Sequence, residues 1–190
     1  NNAASAICRS RVMRIVFVGV GALGSYFGGA LAAAGQDITL VIRNEAHRSA
    51  ILANGLRLVL DSGEPLVHPR VVAPDDVGSE APADILVIFC KTGATRDVLK
   101  ASSPLIGPET RLVSAQNGLG NDTVLGEFVP RDRGIYGTTM APGDLRSPGI
   151  VESPGSHLTQ IRAATDDETS RSHAAHLAHA LDAAGLPFPH

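Results

Sequence analysis

Gly19, Gly21 and Gly24 stand at G-x-G-x-x-G spacing in the run Gly19-Val20-Gly21-Ala22-Leu23-Gly24. At that spacing the first glycine permits a tight turn and the second lets backbone approach a pyrophosphate. The third allows a helix to pack closely on a strand. The chemistry is phosphate binding by main-chain N–H groups and the positive end of a helix. The run directly follows the apolar stretch 14–18 and directly precedes the small-residue stretch 25–34, which is the setting the motif requires. Without that setting, a glycine-rich turn that binds nothing reads the same way. The backbone of Gly19, Val20, Gly21, Ala22, Leu23 and Gly24 is therefore a candidate dinucleotide cradle. Arg43 comes nineteen positions after Gly24 and is followed by Asn44. NAD-selective sites place a carboxylate there for the ribose hydroxyls. A guanidinium instead can grip a 2′-phosphate bidentately, which makes NADP(H) the candidate cofactor. An ordinary surface arginine at a strand end is the alternative. Lys91 and Asn117 are the candidate catalytic pair, able to hold a carboxylate or carbonyl against a nicotinamide ring. Each follows an apolar run, at the carboxyl edge where open α/β sheets bind ligands. A solvated lysine and an Asn-Gly turn are the competing description.

These residues need a scaffold, and the hydrophobic pattern supplies one. Residues 14–19 are a short, continuous apolar run, as a strand buried on both faces should be, and 37–42, 83–90, 111–115 and 134–140 read as further strands. Helices are predicted over 25–34, 45–53, 95–102, 121–128 and 168–184, the first and last closed by Gly35 and Gly185. Residues 56–60 and 65–72 alternate like two strands around the turn 61–64. Between 143 and 162, Pro-Gly pairs at 148–149 and 154–155 separate short strands, read as an antiparallel extension at one side of the sheet. The expected fold is α/β, a Rossmann-type doubly wound, mostly parallel sheet. Residues 1–12 are expected to be an extension, 13–167 the nucleotide-binding domain, and 168–190 a final helix.

Composition narrows the function. Of 190 residues, 44% are apolar and 18% charged, an ordinary globular balance. The net charge of −3, without a basic stripe, and aromatics at 4% give nucleic acid neither an electrostatic footprint nor stacking platforms. No apolar stretch approaches the length that spans a bilayer. Cys8 and Cys90 have no metal spacing, and a reducing compartment is the default. His173, His176 and His179 recur every three residues, a step that drifts around a helix and does not converge on one ion, so no metal is expected. Ser25 and Ser114 have no His–Asp pattern beside them to activate a hydroxyl.

The run from Met13 to Gly24, then Arg43, Cys90-Lys91-Thr92, Gln116-Asn117-Gly118-Leu119-Gly120 and Gly137-Thr138-Thr139-Met140 resembles the ketopantoate (2-dehydropantoate 2-) reductase family in order and spacing. So do the stretches 147–151 and 181–187. The resemblance implies NADPH-dependent reduction of a 2-keto acid in the cytoplasm, on the pantothenate route to coenzyme A. It places Lys91 beside the cofactor, Asn117 against nicotinamide and substrate, and the backbone of Gly143 against the cofactor. The partner it implies is a small 2-keto acid, with neither nucleic acid nor membrane, and a homodimer is compatible with it. The family continues into an all-helical second domain whose first long helix carries the general-acid lysine. That domain is expected to be absent here, where Lys91 and Lys100 are the two lysines. Reduction of another 2-keto or 3-hydroxy acid stays open, as does a non-catalytic NADP(H)-binding module. Glu152-Ser153, where many relatives have histidine, is a further departure.

Overall fold

The computed structural model describes residues 13–116, 121–154 and 159–186. β1 (Arg14–Val18) turns through the glycine run into α1 (Ala22–Ala33), and β2 (Asp37–Val41) and α2 (Glu45–Asn54) follow. Next come β3 (Leu56–Val59), β4 (Leu66–Val67), β5 (Arg70–Val72), β6 (Ile85–Ile88), α3 (Thr95–Ala101), β7 (Arg111–Ser114) and α4 (Asn121–Leu125). The chain continues with β8 (Gly134–Thr139), β9 (Asp144–Ser147), β10 (Ile150–Glu152), β11 (Thr159–Ala163) and α5 (Glu168–Ala183).

Seven strands form the main sheet in the order β11-β8-β7-β6-β1-β2-β5. All its pairings are parallel except that of β11 with β8. The apolar runs of β1, β6 and β7 fill its centre because both faces are covered, leaving no solvated face to demand alternation. From β1 the chain moves one way to β2 and β5, then returns to the other side of β1 with β6. The crevice at the carboxyl ends of β1 and β6 is thus the topological switch point, where such sheets bind ligands.

The predicted strands reappear with two differences in how they pair, and the helix expected over 121–128 stops at Leu125. Residues 65–72 do not form one strand. β4 pairs with β3, whereas β5 pairs with β2, and the break falls at His68-Pro69, where proline cannot donate to a ladder. The segment 143–162 also divides. β11 is the antiparallel extension of the main sheet, but β9 and β10 join β3 and β4 in a second sheet of order β4-β3-β10-β9. The closing pair there, β10 with β3, is parallel and links residues about a hundred positions apart, a contact no local pattern encodes.

The second sheet covers the outer face of α1. That helix is apolar all round because it is enclosed on all sides, with Ser25 through Leu31 buried. Adjacent glycines serve its two neighbours. A Cβ on Gly28 would stand 2.5 Å from Leu40 of the main sheet, and one on Gly29 would stand 2.7 Å from Leu58 of the second. α5 buries Ala174, Leu177, Ala180 and Leu181 in the same core as α1.

Candidate functional site

Gly19 leaves β1 at φ +72°, in the left-handed region that favours glycine. A Cβ there would lie 2.6 Å from both the backbone nitrogen and the Cβ of Cys90, so the same glycine also lets the ends of β1 and β6 close together. Gly21 is different. It is the exposed N-cap of α1, its carbonyl accepts from Ser25 N at 2.9 Å, and a Cβ on it would meet no protein atom within 4 Å. No side chain caps this helix start, so its first N–H groups point outward as an anion-binding end. Val20 is buried, and its side chain is spent on the core. The close helix–strand approach expected at Gly24 belongs instead to Gly28. A Cβ on Gly24 would make ordinary 3.4 Å contacts with Val20, within its own turn.

Gly143 sits against this helix start, where a Cβ would approach Leu23 Cδ2 to 3.2 Å and Leu23 N to 3.7 Å. The stretch after β8 is thereby brought to the glycine run, with Ala22 and Leu23 half-buried beneath it.

Arg43 is exposed just beyond β2, with Ile42 N still donating to Val72 O at 3.0 Å. Asn44 caps α2, its Oδ1 accepting from His47 N at 3.0 Å. The His47 ring is buried, at 1% exposure. Its Nδ1 accepts from Gly149 N at 2.9 Å, so the ring proton must reside on Nε2, which lies 2.9 Å from Ser25 Oγ. Burial pushes the His47 pKa down. Ser25 therefore does have a histidine, contrary to the sequence expectation. A ring whose Nε2 already carries the proton cannot accept the serine's, and both side chains are shut away from solvent, so the pair is structural.

Lys91 is exposed at the end of β6, its carbonyl accepting from Ala94 N at 2.8 Å. Beneath it lies a polar cluster that the sequence reading missed. Gln116 Nε2 donates to the Cys90 carbonyl and to Thr95 Oγ1 at 3.1 Å, and its Oε1 accepts from Ser114 Oγ at 3.0 Å. This amide ties the end of β7 to the end of β6, one residue before Lys91. The signal for it was its place beside Asn117, at the carboxyl end of β7. Cys90 is half-buried between Gly19 and Gln116, and burial pushes its thiol pKa up, so it stays a thiol rather than a nucleophile. Asn117 lies outside the described residues, as do Cys8 and residues 118–120, and the side chain of His176 lies outside them too. The fold thus gathers Gly19, Gly21, Lys91 and Gly143 around the switch point and sets Arg43 one strand away, at the end of β2. No helix among the described residues is long and apolar enough to cross a membrane.

The family model described as ketopantoate reductase PanE/ApbA matches residues 15–165. A 2-dehydropantoate 2-reductase of Lactococcus lactis is 30% identical over 176 residues, which are 92% of this chain and 55% of that protein. The crystal structure of 2-dehydropantoate 2-reductase from Geobacter metallireducens superposes with a TM-score of 0.82 at 27% identity, covering 93% of this chain and 57% of that one. D-mandelate dehydrogenase, solved with NADH and anilino(oxo)acetate, superposes with a TM-score of 0.84 at 28% identity over 93% of this chain and 56% of its own. The chain spans a little over half the length of these relatives.

Proposed function

The chain belongs to the ketopantoate reductase PanE/ApbA family, and from that membership we propose that it is the cofactor-binding half of an NADPH-dependent 2-dehydropantoate 2-reductase. The reading carries with it the pantothenate route to coenzyme A and a cytoplasmic setting. The observation that supports it most is the uncapped start of α1. Gly21 there is open on its Cβ side, so packing gives no reason for glycine, whereas close approach of a pyrophosphate does.

The residues present fit a dinucleotide. Gly19 to Gly24 would hold the pyrophosphate through main-chain N–H groups, and Arg43 would take the 2′-phosphate through its planar fork. The bound nicotinamide would supply the hydride for reduction of a 2-keto acid to its 2-hydroxy acid. Lys91, exposed at the carboxyl edge, brings positive charge to a substrate carboxylate or to charge growing on the carbonyl oxygen. The Gln116 amide holds the strand end from which Lys91 projects. Asn117 takes its role at the nicotinamide and substrate from the family resemblance. The new alcohol also needs a proton, delivered by a positioned acid. In this reading the family resemblance assigns that acid to a lysine outside the cofactor-binding half, whose own part is to hold and orient the nucleotide.

The likeness to D-mandelate dehydrogenase with NADH supports a second reading, a reductase for another 2-keto acid using either nicotinamide nucleotide. Fluorescence titration with NADPH and, separately, NADH distinguishes the two. On the first reading NADPH binds at least about tenfold more tightly, and Arg43→Ala removes the difference by deleting a charged bidentate contact. Equal affinity for both nucleotides would sink NADPH selectivity and leave the second reading. Turnover of ketopantoate against phenylglyoxylate by the full-length protein then decides the substrate.

A further inference from the structure

Arg43 is not the lone cation at the end of β2. Arg48 is the fourth residue of α2, and long side chains on a helix lean back toward its N-terminus. Its Nη1 donates to the Ile42 carbonyl at 3.1 Å. The β2–β5 ladder explains why that carbonyl takes a side-chain donor. Val41 faces Val72, and Ile42 N donates to Val72 O, so the next donor due to Ile42 O belongs to position 74. That residue is Pro74, which has no N–H. Arg48 fills the gap, and in doing so its guanidinium is fixed beside the peptide that leads into Arg43.

Neither arginine has a carboxylate partner among the described residues. By contrast, Arg14 and Arg70 share Glu80, Arg57 meets Glu64, Arg96 meets Glu127 and Arg146 meets Glu152. The bond to Ile42 uses one N–H, and a guanidinium has more to offer. An opposing charge close in sequence is Glu45, exposed in the first turn of α2.

We propose that Arg48 is a second specificity-determining residue for a nucleotide bearing a ribose 2′-phosphate, closing on the phosphate from the α2 side while Arg43 holds it from the strand end. This rests on the reading of Arg43 given above. A 2′-phosphate is close to a dianion at neutral pH, so a second guanidinium at this edge outweighs Glu45 and completes the charge match. A bare ribose gains nothing from it.

The test is titration of NADPH and NADH into the unmodified chain and into Arg48→Ala, Arg48→Gln and Arg48→Lys. Glutamine keeps a donor for Ile42 and removes the charge, whereas lysine keeps both. Arg48→Ala and Arg48→Gln should weaken NADPH by about tenfold and leave NADH within about twofold, with Arg48→Lys recovering most of the loss. If Arg48→Gln binds NADPH as the unmodified chain does, Arg48 is a strand-end cap alone and the proposal fails while the Arg43 reading stands. Parallel loss of NADPH and NADH in Arg48→Gln also overturns it, because the effect then lies in loop position and not in phosphate recognition. An unmodified chain without preference for NADPH overturns the Arg43 reading and this one with it.

Discussion

Gly19 and Gly21 share a motif but carry different constraints, and two alanine substitutions separate them. At Gly19 a side chain meets both a left-handed φ of +72° and the Cys90 backbone at 2.6 Å, so Gly19→Ala must push β1 and β6 apart. We expect it to cost about 3 kcal/mol or more, read as a collapse of the thermal midpoint. At Gly21 φ is an ordinary −111° and the space is open, so Gly21→Ala should melt with the unmodified chain. Its methyl group would nonetheless stand where backbone must approach the pyrophosphate, weakening NADPH at least about tenfold. Equal melting and equal binding for Gly21→Ala would mean the glycine run cradles nothing. At this scale the sequence was legible for Gly19, where the motif calls for a tight turn out of β1 and the backbone there takes a positive φ. It was not legible for Gln116, whose partners Cys90 and Thr95 lie more than twenty positions away, nor for Gly24, where spacing alone cannot say which glycine touches the sheet.

His47 acts between elements. One buried ring joins α2 to α1 through Ser25 and to the β9–β10 turn through Gly149, and so fastens the second sheet to the two helices. Because Nδ1 must accept from Gly149 N–H, protonation there sets two donors against each other. Burial already lowers the pKa from its ordinary 6.5, so the unfolded chain takes the proton first as the pH falls. The contribution is present in full above the ordinary histidine range, declines as pH drops below about 6.5, and is gone once the folded-state pKa is passed. Thermal melts between pH 5 and 8 should therefore show a midpoint falling on the acid side more steeply than in His47→Gln, which has no group to titrate. Matching slopes would remove His47 as the source. The strands and helices themselves were readable from apolar runs and glycine stops, because those signals are local. Placement of β9 and β10 was not, since their sheet closes on β3 through a pairing that spans the whole middle of the chain.

Across the whole molecule, the candidate ligand residues and the Glu80 ion-pair cluster occupy opposite ends of the main sheet. The glycine run, Lys91 and Arg43 lie at the carboxyl ends of β1, β6 and β2. At the amino ends, Glu80 accepts from Arg14, which opens β1, and from Arg70, which opens β5. Its side chain is 5% exposed, and the two guanidiniums, Arg70 foremost, hold its pKa down to about 2. A carboxylate with a lowered pKa stabilises the fold above its unfolded value near 4.5, and that stabilisation is lost as pH falls toward 2. The doubly wound topology was visible in the order of the elements, but this separation of roles was not, because Glu80 reaches Arg14 across 66 positions. Glu80→Gln leaves two arginines without their shared anion, one of them half-enclosed, and should lower the midpoint at neutral pH by roughly 3–6 °C. It should also flatten the loss of stability between pH 4.5 and 2, since the group that titrates there is gone. Nucleotide affinity should not move, because the substitution lies a full strand length from the glycine run. A midpoint that falls together with NADPH affinity would show that the two ends of the sheet are coupled, and that stability and binding in this fold cannot be tuned apart.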